Sequence, residues 1–524
     1  MNLLSKFLNR TDFSDYDDFR RNAKLCVPSD FNFGFDVVDE YARLCPEKRA
    51  LVWCNQKGEE KVITFGEMKE LSLKMCNVIS SYGVKKGDFV MSMLNRRWEY
   101  WVLVVACCKM GVVLIPATHM LTPKDVAYRV NEAGVKLLFA TEEEDVAEHI
   151  SLALPDCKNL KGVLSVNGAH FDNLDEKLEN APAEFSFDAR PNPRDLMLVY
   201  FTSGTTGMPK MVMHDFLYPL GHVFTAKYWQ DVVDDGLHFT MAETGWAKCS
   251  WGKIYGQWIS GTAVFAYDYH GRFTPTDVLP LVKKYGITTF CAPPTIYRMM
   301  IKQDIAKYDF SSVKHATIAG EALNPEVFRQ FEKATGLRVM EGFGQSETTL
   351  VIGNTVGMKH KLGSMGKPVP LYNVELLSPD GKPVPTGETG EICISVANGM
   401  PYGLFVEYYR DEEKTNECRQ DGWYHTGDLA WKDEEGFYWY VGRRCHQVLR
   451  LPHRAVRDRE CHYGASLCPR MRCLLRPRRG ARADRQSKHC ADQGHAAERS
   501  AEKRDSGICQ DPYRAVQIPA HRRI

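Results

Sequence analysis

The chain has 524 residues, 44% hydrophobic and 25% charged, with a formal net charge of +1. That is enough for two or three domains with a sizeable core, and its ordinary composition excludes fibrous and low-complexity classes. The near-neutral balance hides an asymmetry: residues 444–524 carry 17 Arg and 2 Lys against 8 acids, so the body before them is net acidic by about ten charges.

The first thirty residues read as a polar lead-in, and the stretch from Met1 to Leu8 turns polar too early for a secretory signal. Phe35–Leu44 has helical spacing, and 50–53 with 61–65 reads as a strand pair about a Lys-Gly turn. Helices are expected over Glu67–Tyr82, Trp98–Met110 and Asp125–Ala133, stopped by Gly83, Gly111 and Gly134. Strands are expected at 88–93, at 112–115 ending before Pro116, and at 135–140. The longest apolar run, Trp101–Pro116, is broken by Lys109 and too short to span a bilayer. Seventeen cysteines without C-x-x-C pairs suggest reduced thiols and a cytoplasmic setting.

Pro191–Pro193 marks a joint, after which Leu196–Phe201 reads as a buried strand. It empties into Thr202, Ser203, Gly204, Thr205, Thr206, Gly207, Met208, Pro209 and Lys210. Glycines let backbone N–H groups approach an anion, Ser and Thr add donors, and Lys210 adds charge, which suits a polyphosphate. A Walker A loop is excluded, because Lys210 follows proline and no Ser or Thr comes after it. The alternation resumes with strands at 263–266 and 288–292 and helices at 277–285 and 325–335, the rhythm of a doubly wound α/β layer. From about residue 372, short strands with Asp-Gly and Asn-Gly turns predict a compact β subdomain, and 433–441 reads as a hairpin leading into Gly442-Arg443.

Two further segments carry chemistry. In Glu341-Gly342-Phe343-Gly344-Gln345-Ser346-Glu347, an aromatic ring between two glycines can lie flat on a heteroaromatic base. Ser346 offers a hydroxyl to phosphate, and Glu347 offers a hard oxygen for Mg²⁺. In Asp421–Asp428, the carboxylate after Thr-Gly suits bidentate recognition of ribose hydroxyls. Taken singly, these residues also read as a surface acid and a helix N-cap.

The loop 202–210, the segment 341–349 and the segment 421–428, in that order, closely resemble the motifs of the adenylate-forming superfamily, and among its members the medium-chain acyl-CoA synthetases. The resemblance runs from about residue 30 to Arg443. It implies an AMP-binding domain over 31–430, a hinge hairpin at 431–443, and a reaction of ATP, CoA and a small carboxylic acid with Mg²⁺. It gives Lys210, Ser346 and Glu347 catalytic roles. Gly320, Glu321 and Ala322 would line the adenine, Arg443 would join Asp428 on the ribose, and Gly245 and Trp246 would line the acyl and pantetheine passage. Gly342 stands where acetate-activating relatives carry tryptophan, which predicts room for an acid longer than acetate or an aromatic one. Neither a nucleic-acid partner nor a membrane span is expected.

After Arg443 the resemblance stops. Residues 444–524 have no Phe or Trp and no apolar periodicity, so the segment is expected to be disordered. Codons for Arg444–Glu460, read one base later, can encode DAIKSSGYRIGPFEIES, the family's text after the hinge; three later stretches behave alike, in the same frame and in order. The tail therefore reads as an out-of-frame translation of the small C-terminal domain, its arginines a by-product of GC-rich codons. It supplies no lysine for that domain's catalytic position, so an inactive nucleotide-binding remnant is the alternative to an acid–CoA ligase.

Overall fold

The computed structural model describes residues 2–443 apart from 144, 203–208, 321–323 and 356. Residues 444–524, read above as an aberrant tail, lie outside the described residues.

Strands buried on both faces are written as continuous apolar runs, and here they build two largely parallel sheets. One has seven strands in the spatial order Asp172–Asn173, Gly162–Ser165, Leu137–Ala140, Phe89–Met93, Val113–Pro116, Leu196–Thr202 and Lys210–Asp215. All neighbours are parallel except the last pair. The other has nine strands, with a parallel centre formed by Val339–Phe343, His315–Ala319, Thr289–Ala292, Leu237–Thr240, Ala263–Asp268 and Arg49–Asn55. Helices alternate with the strands, giving the doubly wound α/β architecture. Glu99–Met110 is buried almost along its whole length, as its unbroken apolar sequence requires.

Local chemistry fixes the helix ends. Thr64 and Glu67 form a reciprocal capping box at the start of Phe65–Ser81, and Thr122 and Asp125 form another ahead of Pro123. Gly134 closes Pro123–Ala133 at φ 70°, where a Cβ would be strained. The predicted β subdomain is a five-stranded antiparallel sheet of Val374–Leu377, Thr389–Ser395, Trp423–Lys432, Arg419–Gln420 and Tyr438–Arg443.

Four local expectations differ from the structure. The first residues are not a polar lead-in: Leu3, Leu4, Phe7 and Phe19 are buried, and the Tyr16 hydroxyl donates to the Pro368 carbonyl at 2.8 Å. The few apolar side chains in this polar stretch pack on the main core, which composition does not reveal. Residues 34–44 are helical as expected but start as a π-helical turn, Gly34–Asp39. Pro116 belongs to its strand. Lys210 opens a strand, Lys210–Asp215, that returns antiparallel along Leu196–Thr202.

Candidate active site

The site lies where open α/β sheets place ligands, at the carboxyl ends of their strands. Thr202 ends one strand, Phe343 ends another, and Gly320 follows a third at φ 109°. Gly245 and Trp246 follow Leu237–Thr240 and precede the short helix Ala247–Gly252. All of them face a single cleft of about 1300 Å³, whose far wall is the β subdomain with Asp428 and Arg443.

The Lys210 ammonium sits 4.6 Å from the centre of the Tyr408 ring. The Tyr408 hydroxyl donates to Glu347 Oε1 at 2.9 Å. Removal from water pushes the Glu347 carboxyl above its ordinary range, and this hydrogen bond and the charges of Lys210 and Arg443 oppose that push. A hard carboxylate oxygen held by a phenol fits Mg²⁺, which takes one or two carboxylates and completes its shell with water and phosphate oxygens. Ser346 is positioned through its backbone: its carbonyl accepts from His214 Nε2 at 2.8 Å. Burial pushes His214 down to about 4, so the ring is neutral at pH 7 with its proton on the nitrogen that donates.

Asp428 and Arg443 face each other across adjacent strands, with Arg443 Nε 3.5 Å from Asp428 Oδ1. Tyr440 donates to Oδ1 at 2.9 Å and Gln345 Nε2 to Oδ2 at 2.6 Å. Burial raises the Asp428 carboxyl, while Arg443 and these two donors hold it down. Gln345 is itself fixed by the Tyr424 hydroxyl, at 2.8 Å from its Oε1. The carboxylate is thus preorganised on the β subdomain but tied to the segment 341–347. The Phe343 and Tyr440 rings lie 6.2 Å apart at 34°.

The glycines around Phe343 have another reason than baring its face. A Cβ on Gly342 would meet the Trp229 indole at 2.7 Å and Leu350 at 2.8 Å, and one on Gly344 would run into the Trp251 ring. The room expected at Gly342 is therefore occupied by Trp229, which is fully buried and packs edge-on against Trp251 at 6.2 Å. Trp229 ends the π-helical segment Phe224–Trp229 and donates from Nε1 to the Met340 carbonyl at 3.2 Å. Gly245 packs on the backbone of Ala117 and Thr118 with no space for a Cβ, and Trp246 remains 47% exposed in the cleft.

The structure thus gathers Thr202, Lys210, Gly320, Glu341–Glu347, Asp428, Arg443, Gly245 and Trp246 around one cleft. Pro209 directly precedes Lys210 at its edge, and Ser203–Met208, Glu321 and Ala322 lie outside the described residues. Sequence reasoning missed Trp229, Tyr408 and Tyr424. Tyr408 and Tyr424 lie between motifs or at unmarked positions within them, and Trp229 gives only the signal of an apolar residue on a helix.

The family model described as AMP-binding enzyme matches residues 38–402. The mitochondrial acyl-coenzyme A synthetase ACSM3 of Rattus norvegicus is 37% identical over 453 residues, covering 84% of this chain and 77% of the relative. The mitochondrial acyl-coenzyme A synthetase ACSM4 of Mus musculus is 36% identical over 450 residues, with the same coverage of 84% and 77%. Among solved structures, the anthranilate CoA ligase AuaEII in complex with anthranoyl-AMP superposes with a TM-score of 0.73 at 22% identity, covering 80% of this chain and 79% of that one. The acyl-CoA synthetase of Brucella canis gives 0.74 at 24% identity, with 82% and 80% covered.

Proposed function

Because this chain belongs to the AMP-binding enzyme family, as an acyl-CoA synthetase of the adenylate-forming fold, we propose that it joins a medium-chain or aromatic carboxylic acid to CoA at the expense of ATP, releasing AMP and diphosphate. The observation that carries this reading is the single cleft on which Lys210, Glu347 and the Asp428–Arg443 pair converge. The substrate carboxylate attacks the α-phosphorus and displaces diphosphate, forming an acyl-adenylate; the CoA thiolate then displaces AMP. Asp428 and Arg443 hold the ribose, Phe343 lies along the adenine beside Gly320, and Lys210 with Ser346 faces the phosphates. Glu347 would hold Mg²⁺, which supplies charge neutralisation on phosphate oxygens. Trp246 and Gly245 border the acyl and pantetheine passage. The domain division follows the same reading, with an AMP-binding domain over 31–430 and a hinge hairpin at 431–443.

Steady-state release of AMP and acyl-CoA from a panel of acids tests the reaction. Acid-dependent AMP release without thioester would point to another acceptor for the adenylate. A second reading, a nucleotide-binding remnant without turnover, is favoured by the out-of-frame text after Arg443. ATP binding with no AMP formed on any acid would support it. The compartment is open to the same treatment: cytoplasm follows from the reduced cysteines, whereas the mammalian relatives are named as mitochondrial. Among the described residues no helix is long and apolar enough to cross a membrane.

Acyl size follows from Trp229 in this reading. With the indole walling the space beside Gly342, Trp229→Phe should favour longer acids by roughly fourfold in kcat/KM per added methylene, since each buried CH₂ contributes about 0.8 kcal/mol. A chain-length series on a frame-repaired enzyme checks it. An unchanged profile would place the end of the acyl pocket elsewhere.

A further inference from the structure

Beside the nucleotide cleft, on the β subdomain, three residues of different chemistry point at one another. Cys393 and His425 are directly opposite on adjacent antiparallel strands, and Glu391 lies on the same face as Cys393, two residues earlier. In a regular ladder Glu391 would stand opposite residue 427. It pairs instead with Leu429, so Thr426, Gly427 and Asp428 bulge out between the two pairs. The donor atoms lie close together here: Cys393 Sγ is 3.4 Å from His425 Nδ1, and that nitrogen is 3.1 Å from Glu391 Oε2. One atom of each residue falls within 4.8 Å of both others.

His425 Nδ1 carries at most one proton, yet it faces a thiol and a carboxylate at once. Thiolate, imidazole and carboxylate on a tetrahedral zinc-type ion would lie roughly 3.4–3.6 Å apart, from the usual bond lengths. The two separations at the imidazole need to widen by only a few tenths of an ångström, and the thiol and carboxylate lie within 4.8 Å of each other. Hard ions are the wrong match, because Mg²⁺ and Ca²⁺ take all-oxygen shells, whereas a mixed S, N, O set suits Zn²⁺ and Co²⁺. Glu391 Oε1 is already engaged, accepting from the Gly427 N–H at 2.9 Å, which leaves Oε2 oriented toward the imidazole. Glu391 and His425 also line the cleft, so a fourth position can hold water.

We propose that Glu391, Cys393 and His425 form a three-ligand site for one zinc-class divalent ion, distinct from the Mg²⁺ position at Glu347. Binding releases the thiol proton to solvent as the thiolate coordinates. The ion would clamp both sides of the bulge that presents Asp428, so it couples to the ribose contact through Gly427.

Titration of the full chain with Co²⁺ tests this, since thiolate coordination gives a ligand-to-metal charge-transfer band in the near ultraviolet. Wild type should show the band with one Co²⁺ bound at this site. Cys393→Ala and His425→Gln should each lose the band and one equivalent of metal by equilibrium dialysis. Because the tail also carries cysteines and histidines, the readout is the difference between wild type and variant. His425→Gln lies on a partly exposed side chain, which keeps the test valid if Cys393→Ala folds poorly. Zn²⁺ should raise the melting temperature of wild type and not of His425→Gln. A band of undiminished intensity in His425→Gln, or in a folded Cys393→Ala, overturns the site.

Discussion

Repairing the reading frame after Arg443, and carrying it through the family's lysine-bearing closing loop, should raise acyl-CoA formation by at least about 10²–10³-fold over the chain as written, while ATP affinity changes little. The asymmetry follows from where the parts reside. Lys210, Glu347, Asp428 and Arg443 all precede residue 444 and already share one cleft, so the proposed nucleotide contacts are common to both versions. The repaired segment restores text resembling the hinge and its Ser-Gly-Tyr-Arg stretch, and with the closing loop a lysine for the α-phosphate. Loss of one preorganised donor to developing charge costs roughly 10²–10³ in rate. Loss of the surface that captures CoA should depress thioester formation at least as much. Single-turnover adenylation and steady-state acyl-CoA release, measured on both versions, separate the two half-reactions. Equal thioester rates would mean that residues 444–524 are not an out-of-frame domain. Sequencing the gene across the codons for residues 438–450 gives the same answer at the level of DNA.

Asp428→Ala should weaken nucleotide binding by about 10–150-fold, the equivalent of about 1.5–3 kcal/mol for a hydrogen bond to a charged acceptor. Asp428 is almost fully buried and is met by Tyr440, Gln345 and Arg443. Removing it would delete the proposed ribose contact and leave the Gln345 amide and Tyr440 hydroxyl without that acceptor. Asp428→Asn is the milder comparison, since it keeps the shape and one acceptor. The carboxyl is raised by burial, and only its ionised form can accept from both ribose hydroxyls. On acidification, wild-type affinity should therefore begin to fall at a higher pH than for an ordinary aspartate, and that component should vanish in Asp428→Asn. Calorimetry with ATP across acidic to neutral pH measures both effects. Unchanged affinity in Asp428→Ala would remove the residue from the ribose site.

Motif order alone was enough to point to the family, because the glycine and hydroxyl loop, the 341–347 segment and the Asp428 segment need few neighbours to be recognisable. Strand and helix rhythm likewise foretold the layered α/β body, since an apolar run of four or five residues bounded by turns has few other uses. Capping boxes at Thr64 and Thr122 and glycine stops at 111 and 134 are local chemistry, written within a few residues of where they act.

What only the tertiary structure decided lies between segments distant in the chain. Tyr408 reaches Glu347 across 61 positions and Gln345 reaches Asp428 across 83, and no periodicity encodes such pairings. The glycines flanking Phe343 show the limit most clearly: a glycine advertises missing volume but not what fills it, and here Trp229 and Trp251 do. The Glu391–Cys393–His425 cluster was equally silent, because it depends on the pairing of two strands that sets Cys393 opposite His425, 32 positions along the chain. The sequence determined the kinds of group and their order along the chain; packing determined which of them meet, because contact in a folded chain is set by register and by close-packed volume.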